Sequence, residues 1–226
     1  MTRRFLLSLF ALVVVYATTA HAQMGFGGGD TNVSERYNKA RKGANIGEWV
    51  RRLEDEKAET RLEAVKSLGD SNDPKAVEPL MQAVGDLDPR VQAKAVDYLG
   101  QIRATDATFF LVQRLFLADT PDPMRHRILN ALGKIADPAA SRPILDYIER
   151  DTPLDLRGTG IFALGEIGDP GARGDLVAML DKEQDTRLRR LIQEAVTKID
   201  TRQAAPPKNE GPFPSPLEAA LQTERP

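Results

Sequence analysis

Five times along the chain a stripe of apolar residues at helical spacing is followed by a turn, and the spacing between copies is nearly constant. In the clearest copy Leu156, Gly160, Ile161, Leu164 and Ile167 fall on one side of a 3.6-residue period. The polar residues that open the copies are Arg61, Gln92, Arg125, Arg157 and Arg189, at intervals of 31, 33, 32 and 32 residues. A period of that length marks stacked units, each too small to bury its own apolar side, and not one globular core.

The turns predict where each helix ends. Gly168 stops the fourth copy, and Asp169-Pro170 starts the next helix, with Asp as N-cap and Pro at the first position, where its missing N–H costs nothing. That helix is expected to turn Leu176, Val177 and Leu180 inward. The third copy repeats the pattern with Ile128, Leu129, Leu132, Ile135, Asp137-Pro138, Ile144, Leu145 and Ile148. In the second, Val91, Ala95, Val96, Leu99 and Ile102 match, but Arg103-Ala104-Thr105-Asp106 replaces the short link and predicts a wider turn. The first has Ala64, Val65, Leu68, Gly69 and Asp73-Pro74, preceded by a helix with Trp49, Val50 and Leu53. The last, with Ile192, Val196 and Ile199, has no partner helix after it, as a terminal cap requires.

The phrase Leu156-Arg157-Gly158-Thr159-Gly160-Ile161-Phe162-Ala163-Leu164-Gly165-Glu166-Ile167-Gly168-Asp169-Pro170 resembles the HEAT repeat, in the short variety found in phycobilin-lyase-type proteins. The resemblance covers residues 46–200 and implies an all-α fold, a right-handed α-solenoid of about five helix pairs, with the second helix of each pair lining the concave face. It implies a structural ladder in which Arg61, Arg125, Arg157 and Arg189 bond to an Asp in the preceding turn and to the neighbouring unit. Asp88, Asp122, Asp155 and Asp185 stand in those turns, and Gln92 interrupts the arginine column. A row of anion-binding arginines is the functional alternative. Gly160 stands where the repeat usually has Ala and predicts a loss of about 1 kcal/mol in the fourth unit.

The flanks differ in composition. Residues 1–22 read as a signal peptide: Arg3 and Arg4, an apolar run from Phe5 to Tyr16, and Ala20-His21-Ala22 as cleavage site. Residues 23–45 are a Gly-rich tether, Gly25 to Gly29, with a short helix after Ser34. Residues 201–226 are a Pro-rich tail, expected to be disordered, in which Ser215-Pro216-Leu217-Glu218 can open a short helix with Leu217 and Leu221 on one side. The tail reads as a docking peptide for another protein, as a segment that folds back on the array's own open end, or as a linker. Export without any cysteine means that packing alone must stabilise the array.

Charge and residue inventory narrow the function. The net charge of −2 becomes −4 when Arg3 and Arg4 leave with the leader, so no global field attracts nucleic acid, and no membrane insertion is expected after cleavage. His126 is the one histidine beyond the leader, and with no Cys neither a zinc site nor a thiol nucleophile can be assembled; no catalytic residue, metal or cofactor is expected. His126 is placed on a solvated helix face. The expectation is a non-catalytic interaction scaffold, periplasmic or secreted, that holds a protein partner. The competing readings are a lyase-like or ligand-handling protein, implied by the resemblance, and a structural envelope component. Partner binding is assigned to Lys94, His126, Arg127, Asn130, Thr159, Phe162 and Leu191, with Phe162 and Leu191 unexpectedly apolar for an outward position.

Overall fold

The computed structural model describes residues 45–150 and 152–204. The leader, the Gly-rich tether and the tail beyond Ala204 lie outside the described residues. The chain divides between Asn45 and Ile46, and the unit that follows holds the whole array.

Ten α-helices and no strands occur among the described residues. They are α1 (residues 45–52), α2 (Ala58–Ser71), α3 (Val77–Ala83), α4 (Pro89–Gln101), α5 (Thr108–Phe116), α6 (Asp122–Ile135), α7 (Ser141–Ile148), α8 (Leu154–Ile167), α9 (Arg173–Lys182) and α10 (Thr186–Ala204). The pairing α1–α2 through α9–α10 makes an α-solenoid of five units. The last helix runs to Ala204, four residues past the boundary that composition suggests.

The long even-numbered helices stack on one another in order, α2 on α4, α4 on α6, α6 on α8 and α8 on α10. Each short helix packs chiefly on the long helix that follows it, and the short helices touch one another little. One continuous apolar core runs from Ile46 to Ile199 between the two layers. Every predicted stripe residue of α6 and α8 is buried. Val177 is the exception among the inward assignments: it is 36% exposed, and Leu176 alone is fully buried on α9.

The glycine of each Leu-Gly phrase is a stacking residue inside a helix, not its end. A Cβ on Gly100 would stand 2.9 Å from the Ala131 Cα, one on Gly133 3.2 Å from the Ala163 Cα, and one on Gly165 2.9 Å from the Ala195 Cα. Four successive long helices, α4 to α10, therefore meet backbone to backbone at three junctions, which only a glycine against a small residue permits. At the first junction the Tyr98 ring lies over Gly69 instead, and its hydroxyl donates to Asp70 Oδ1 at 2.8 Å. Burial of that phenol pushes its pKa up to about 12, with the Asp70 bond adding to the rise.

All four links between a long helix and the following short one have the same form. The chain passes through a left-handed residue, Asn72 (φ 53°), Arg103 (φ 52°), Ala136 (φ 58°) or Gly168 (φ 71°), and then a three-residue 3₁₀ turn. Asp73, Asp137 and Asp169 cap that turn through their side chains, accepting from Lys75 N, Ala139 N and Gly171 N. The Arg103–Asp106 link has the same form as the others and, between helix ends, is longer by the one residue Ile102. Ala104 lacks the capping side chain, but Ala107 is buried like Ala76, Ala140 and Ala172, and this shared apolar plug fixes the turn. Gly160 also differs from expectation. A Cβ there would stand 2.3 Å from Ile148 Cγ2, so this glycine admits α7 against α8, and replacing it by Ala forces Ile148 to move.

Candidate functional site

The polar column does form cross-links, with the expected acceptor Asp122 at Arg125 and other acceptors at Arg61, Arg157 and Arg189. Arg61 donates to both Asp86 oxygens at 2.7 Å and to the Asp55 and Glu56 carbonyls, joining the turn before α2 to the turn before α4. Gln92 reaches the Asp86 carbonyl with its amide, so one neutral residue reproduces the carbonyl clasp. Arg125 bonds Asp122 Oδ1 and the Leu117 carbonyl, Arg157 bonds Glu183 Oε2 at 2.6 Å, and Arg189 bonds the Leu180 and Glu183 carbonyls. Asp88, Asp155 and Asp185 are occupied elsewhere: Asp88 caps α4, Asp155 meets His126, and Asp185 caps α10. The Arg61 guanidinium holds the Asp86 carboxyl below the usual range. At Glu183 the Asp185 backbone N–H is the largest cause of the same lowering, and the charge of Arg157 adds to it. The Arg90 guanidinium, together with the Arg90 N–H, brings Asp88 down to about 2.

On the outward side of the long helices, α6, α8 and α10 enclose a groove of about 220 Å³ lined by Asn130, Leu154, Asp155, Gly158, Thr159, Phe162, Arg187, Leu188 and Leu191. Four of the seven predicted partner-binding residues, Asn130, Thr159, Phe162 and Leu191, are thus neighbours. The opening is apolar for an outer surface: Leu154 is 57% exposed and Phe162 44%. Gly158 keeps it open, since a Cβ there would stand 3.2 Å from the Leu191 Cδ1. The Lys198 ammonium sits 4.5 Å from the Phe162 ring centre, over a ring that leaves room for a further contact.

His126 adjoins the groove and is half-buried, not simply solvated. Its Nδ1 is 2.8 Å from Thr159 Oγ1 and its Nε2 is 3.2 Å from Asp155 Oδ2, so the ring bridges α6 to α8. That bond is the main reason the Asp155 carboxyl stays below its ordinary pKa. Thr159 Oγ1 is also 2.9 Å from the Asp155 carbonyl oxygen, to which it donates, a commitment that suits a structural hydroxyl better than a nucleophile. The remaining two predictions fall outside the groove. Arg127 is paired with Asp97 at 2.7 Å, and Lys94 lies on α4 with its ammonium 4.9 Å from the Tyr98 ring.

A second apolar surface escapes the sequence reading. Val84, Gly85, Phe110, Val112, Gln113, Arg114, Phe116 and Leu117 line a groove of about 560 Å³ on the short-helix side, and Phe109 beside it is 72% exposed. The signal was present: α5 holds three phenylalanines in nine residues, none of them among its fully buried residues Thr108, Leu111 and Leu115. Among the described residues no group of three or more His, Cys, Asp or Glu could hold a metal, and no helix is long and apolar enough to cross a membrane.

The family model of HEAT repeats matches residues 48–132 and 110–197. The chain belongs to the HEAT repeat family. No curated protein matches it in sequence. Among solved structures, this HEAT array is similar to an engineered protein, at 18% identity over 73% of this chain and 83% of the other, with a TM-score of 0.49. It is similar to a designed armadillo repeat protein, at 16% identity over 73% and 86%, with a TM-score of 0.47. It is also similar to the complex of CpcE and CpcF of phycocyanin lyase from Nostoc, at 21% identity over 79% and 76%, with a TM-score of 0.44.

Proposed function

We propose that this HEAT array is a non-catalytic scaffold that holds a segment of another protein in the groove between α6, α8 and α10. The observation that carries the reading is the exposure of Leu154 and Phe162 around that opening, on a layer whose other outward positions are mostly charged. The surrounding charges are largely committed, Arg127 to Asp97, Lys198 to Glu166 and Arg190 to Glu194, so apolar contact rather than net charge supplies the attraction. On this reading the cross-linking arginines Arg61, Arg125, Arg157 and Arg189 serve stacking, and the protein works outside the cytoplasm, in a periplasm, as the leader-like residues 1–22 suggest. The exposed Phe109 and the groove beside it favour a second role, assembly with another envelope component through the short-helix layer.

The test is affinity capture of the tagged protein from its own envelope, comparing the natural chain with Phe162→Ala and Leu191→Asp. Phe162→Ala is expected to lower the captured partner at least about tenfold, as loss of a central aromatic anchor does, with little change in thermal stability because the ring is half exposed. Retention of the partner by both variants, or no enrichment by the natural chain, overturns the reading.

A further inference from the structure

The groove on α8 and α10 combines an apolar opening with one uncommitted cation. Arg187 lines it, and among the described residues no carboxylate lies within ion-pairing distance of that guanidinium, whereas Arg127, Arg190 and Lys198 nearby are all paired. The carboxylate that does line the groove, Asp155, is taken by His126 Nε2 at 3.2 Å and by the Leu156 N–H at 2.9 Å. Asn130 offers a carboxamide with no hydrogen-bond partner among the described residues. A fitting occupant therefore carries a leucine-sized side chain for Leu154, Phe162 and Leu191, and a carboxylate directly beside it for Arg187.

This chain contains such a segment close by. Beyond Ala204 the sequence runs through Pro206, Pro207, Pro212, Pro214 and Pro216 to Leu217-Glu218-Ala219-Ala220-Leu221. From Ala204 back along α10 to the groove residue Leu191 is 13 residues of helix, about 20 Å at 1.5 Å per residue. The 12 residues from Ala205 to Pro216 can cover about 37 Å at the rise of polyproline. That suffices for the return and for crossing one further helix, about 10 Å. The apolar groove on α5 is separated from α10 by α8 and α6 in the order of the stack.

We propose that residues 216–222 of this chain dock in its own groove, with Leu217 against Leu154, Phe162 and Leu191, and Glu218 on Arg187. In a helix opened by Ser215 and Pro216, Leu221 lies one turn beyond Leu217 and shares its side. The segment then acts as a built-in competitor, and a partner gains the groove by displacing it. A tethered competitor needs little intrinsic affinity, because a linker of this reach holds it near the site at millimolar effective concentration. The inference rests on the groove being the binding surface of the proposed function, yet it can fail separately.

Amide hydrogen exchange of the purified full chain tests it without any partner. Residues 217–222 are expected to exchange about tenfold more slowly than an unstructured peptide. That protection should vanish in Leu217→Asp, weaken in Arg187→Glu and return in Arg187→Glu combined with Glu218→Arg. A thermal melt of Leu217→Asp that matches the natural chain shows that the array's folding is intact. Unprotected exchange in the natural chain, protection that persists in Leu217→Asp, or protection that rises with protein concentration and so reports a second copy, overturns the proposal. If the partner is captured through Phe162 while residues 217–222 stay unprotected, the self-docking fails alone. If they are protected but Phe162→Ala leaves capture unchanged, the scaffold reading fails and self-docking stands. With both correct, Leu217→Asp raises capture severalfold.

Discussion

The two layers of the array are built to different tolerances. Long helices meet one another through Gly100 on Ala131, Gly133 on Ala163 and Gly165 on Ala195, where the backbones themselves are in contact. The short helices rest on the long ones and barely on each other, and they leave a roomy groove beside α5. Spacing between units is therefore set by one layer, while the other accommodates. The groove beside α5 is about 560 Å³, against about 220 Å³ for the one between α6, α8 and α10.

The sharpest way to break the comparison is to enlarge a glycine in the tight layer. Gly165→Val pushes a branched side chain into the Ala195 backbone, and a loss of about 3 kcal/mol or more is expected in chemical denaturation, at the upper end for overpacking. Gly160→Ala, which meets the Ile148 side chain and not backbone, should cost about 1–2 kcal/mol, the opposite sign to a helix-propensity estimate. A gain in melting temperature on Gly160→Ala would mean that α7 yields freely and the contrast between layers is smaller than drawn.

The ties between turns give an effect of similar size that depends on pH. Asp86 and Glu183 have folded pKa values below their unfolded ones, so their stabilisation is fully present above the unfolded carboxylate range near pH 4 and is lost as pH falls through the folded values. Arg61→Ala removes a pair whose side chains are only 13% and 8% exposed, and should cost about 2 kcal/mol at pH 7 and less at pH 2.5. An equal loss at both pH values would show that the carbonyl bonds of Arg61, not Asp86, carry the tie. The smallest expected effect is a gain: Ala136→Gly relieves a left-handed alanine and should stabilise by about 1 kcal/mol, read as a rise in denaturation midpoint.

Much of this was legible because burial stripes depend on local spacing. The period, the α6 and α8 stripes and the Asp-Pro turn caps follow from residues within one unit. Of the partners of the arginine column only Asp122, beside Arg125, was legible: Asp86 and Glu183 lie 25 and 26 residues after Arg61 and Arg157, in the next unit, where proximity in sequence pointed to other carboxylates. The left-handed links were readable at Gly168 and, through a residue that tolerates this region, at Asn72, whereas Arg103 and Ala136 take the same conformation without a residue that advertises it. Of the groove, the outward apolar positions Phe162 and Leu191 were visible in the repeat pattern, whereas Leu154, Arg187 and the bridging geometry of His126 needed three helices placed together.

The repeated glycine contact makes the array divisible. Gly100 meets α6 as Gly133 meets α8, so removal of the 33 residues from Ala104 to Ala136 would bring Gly100 to Ala163, a small residue of the same kind, and put Arg103 before Asp137 in the place of Ala136, whose backbone conformation it shares. Length can thus change in whole units while the junction between neighbours keeps its form. A binding groove made by three consecutive long helices moves along such a chain as a block, carried by whichever units border it.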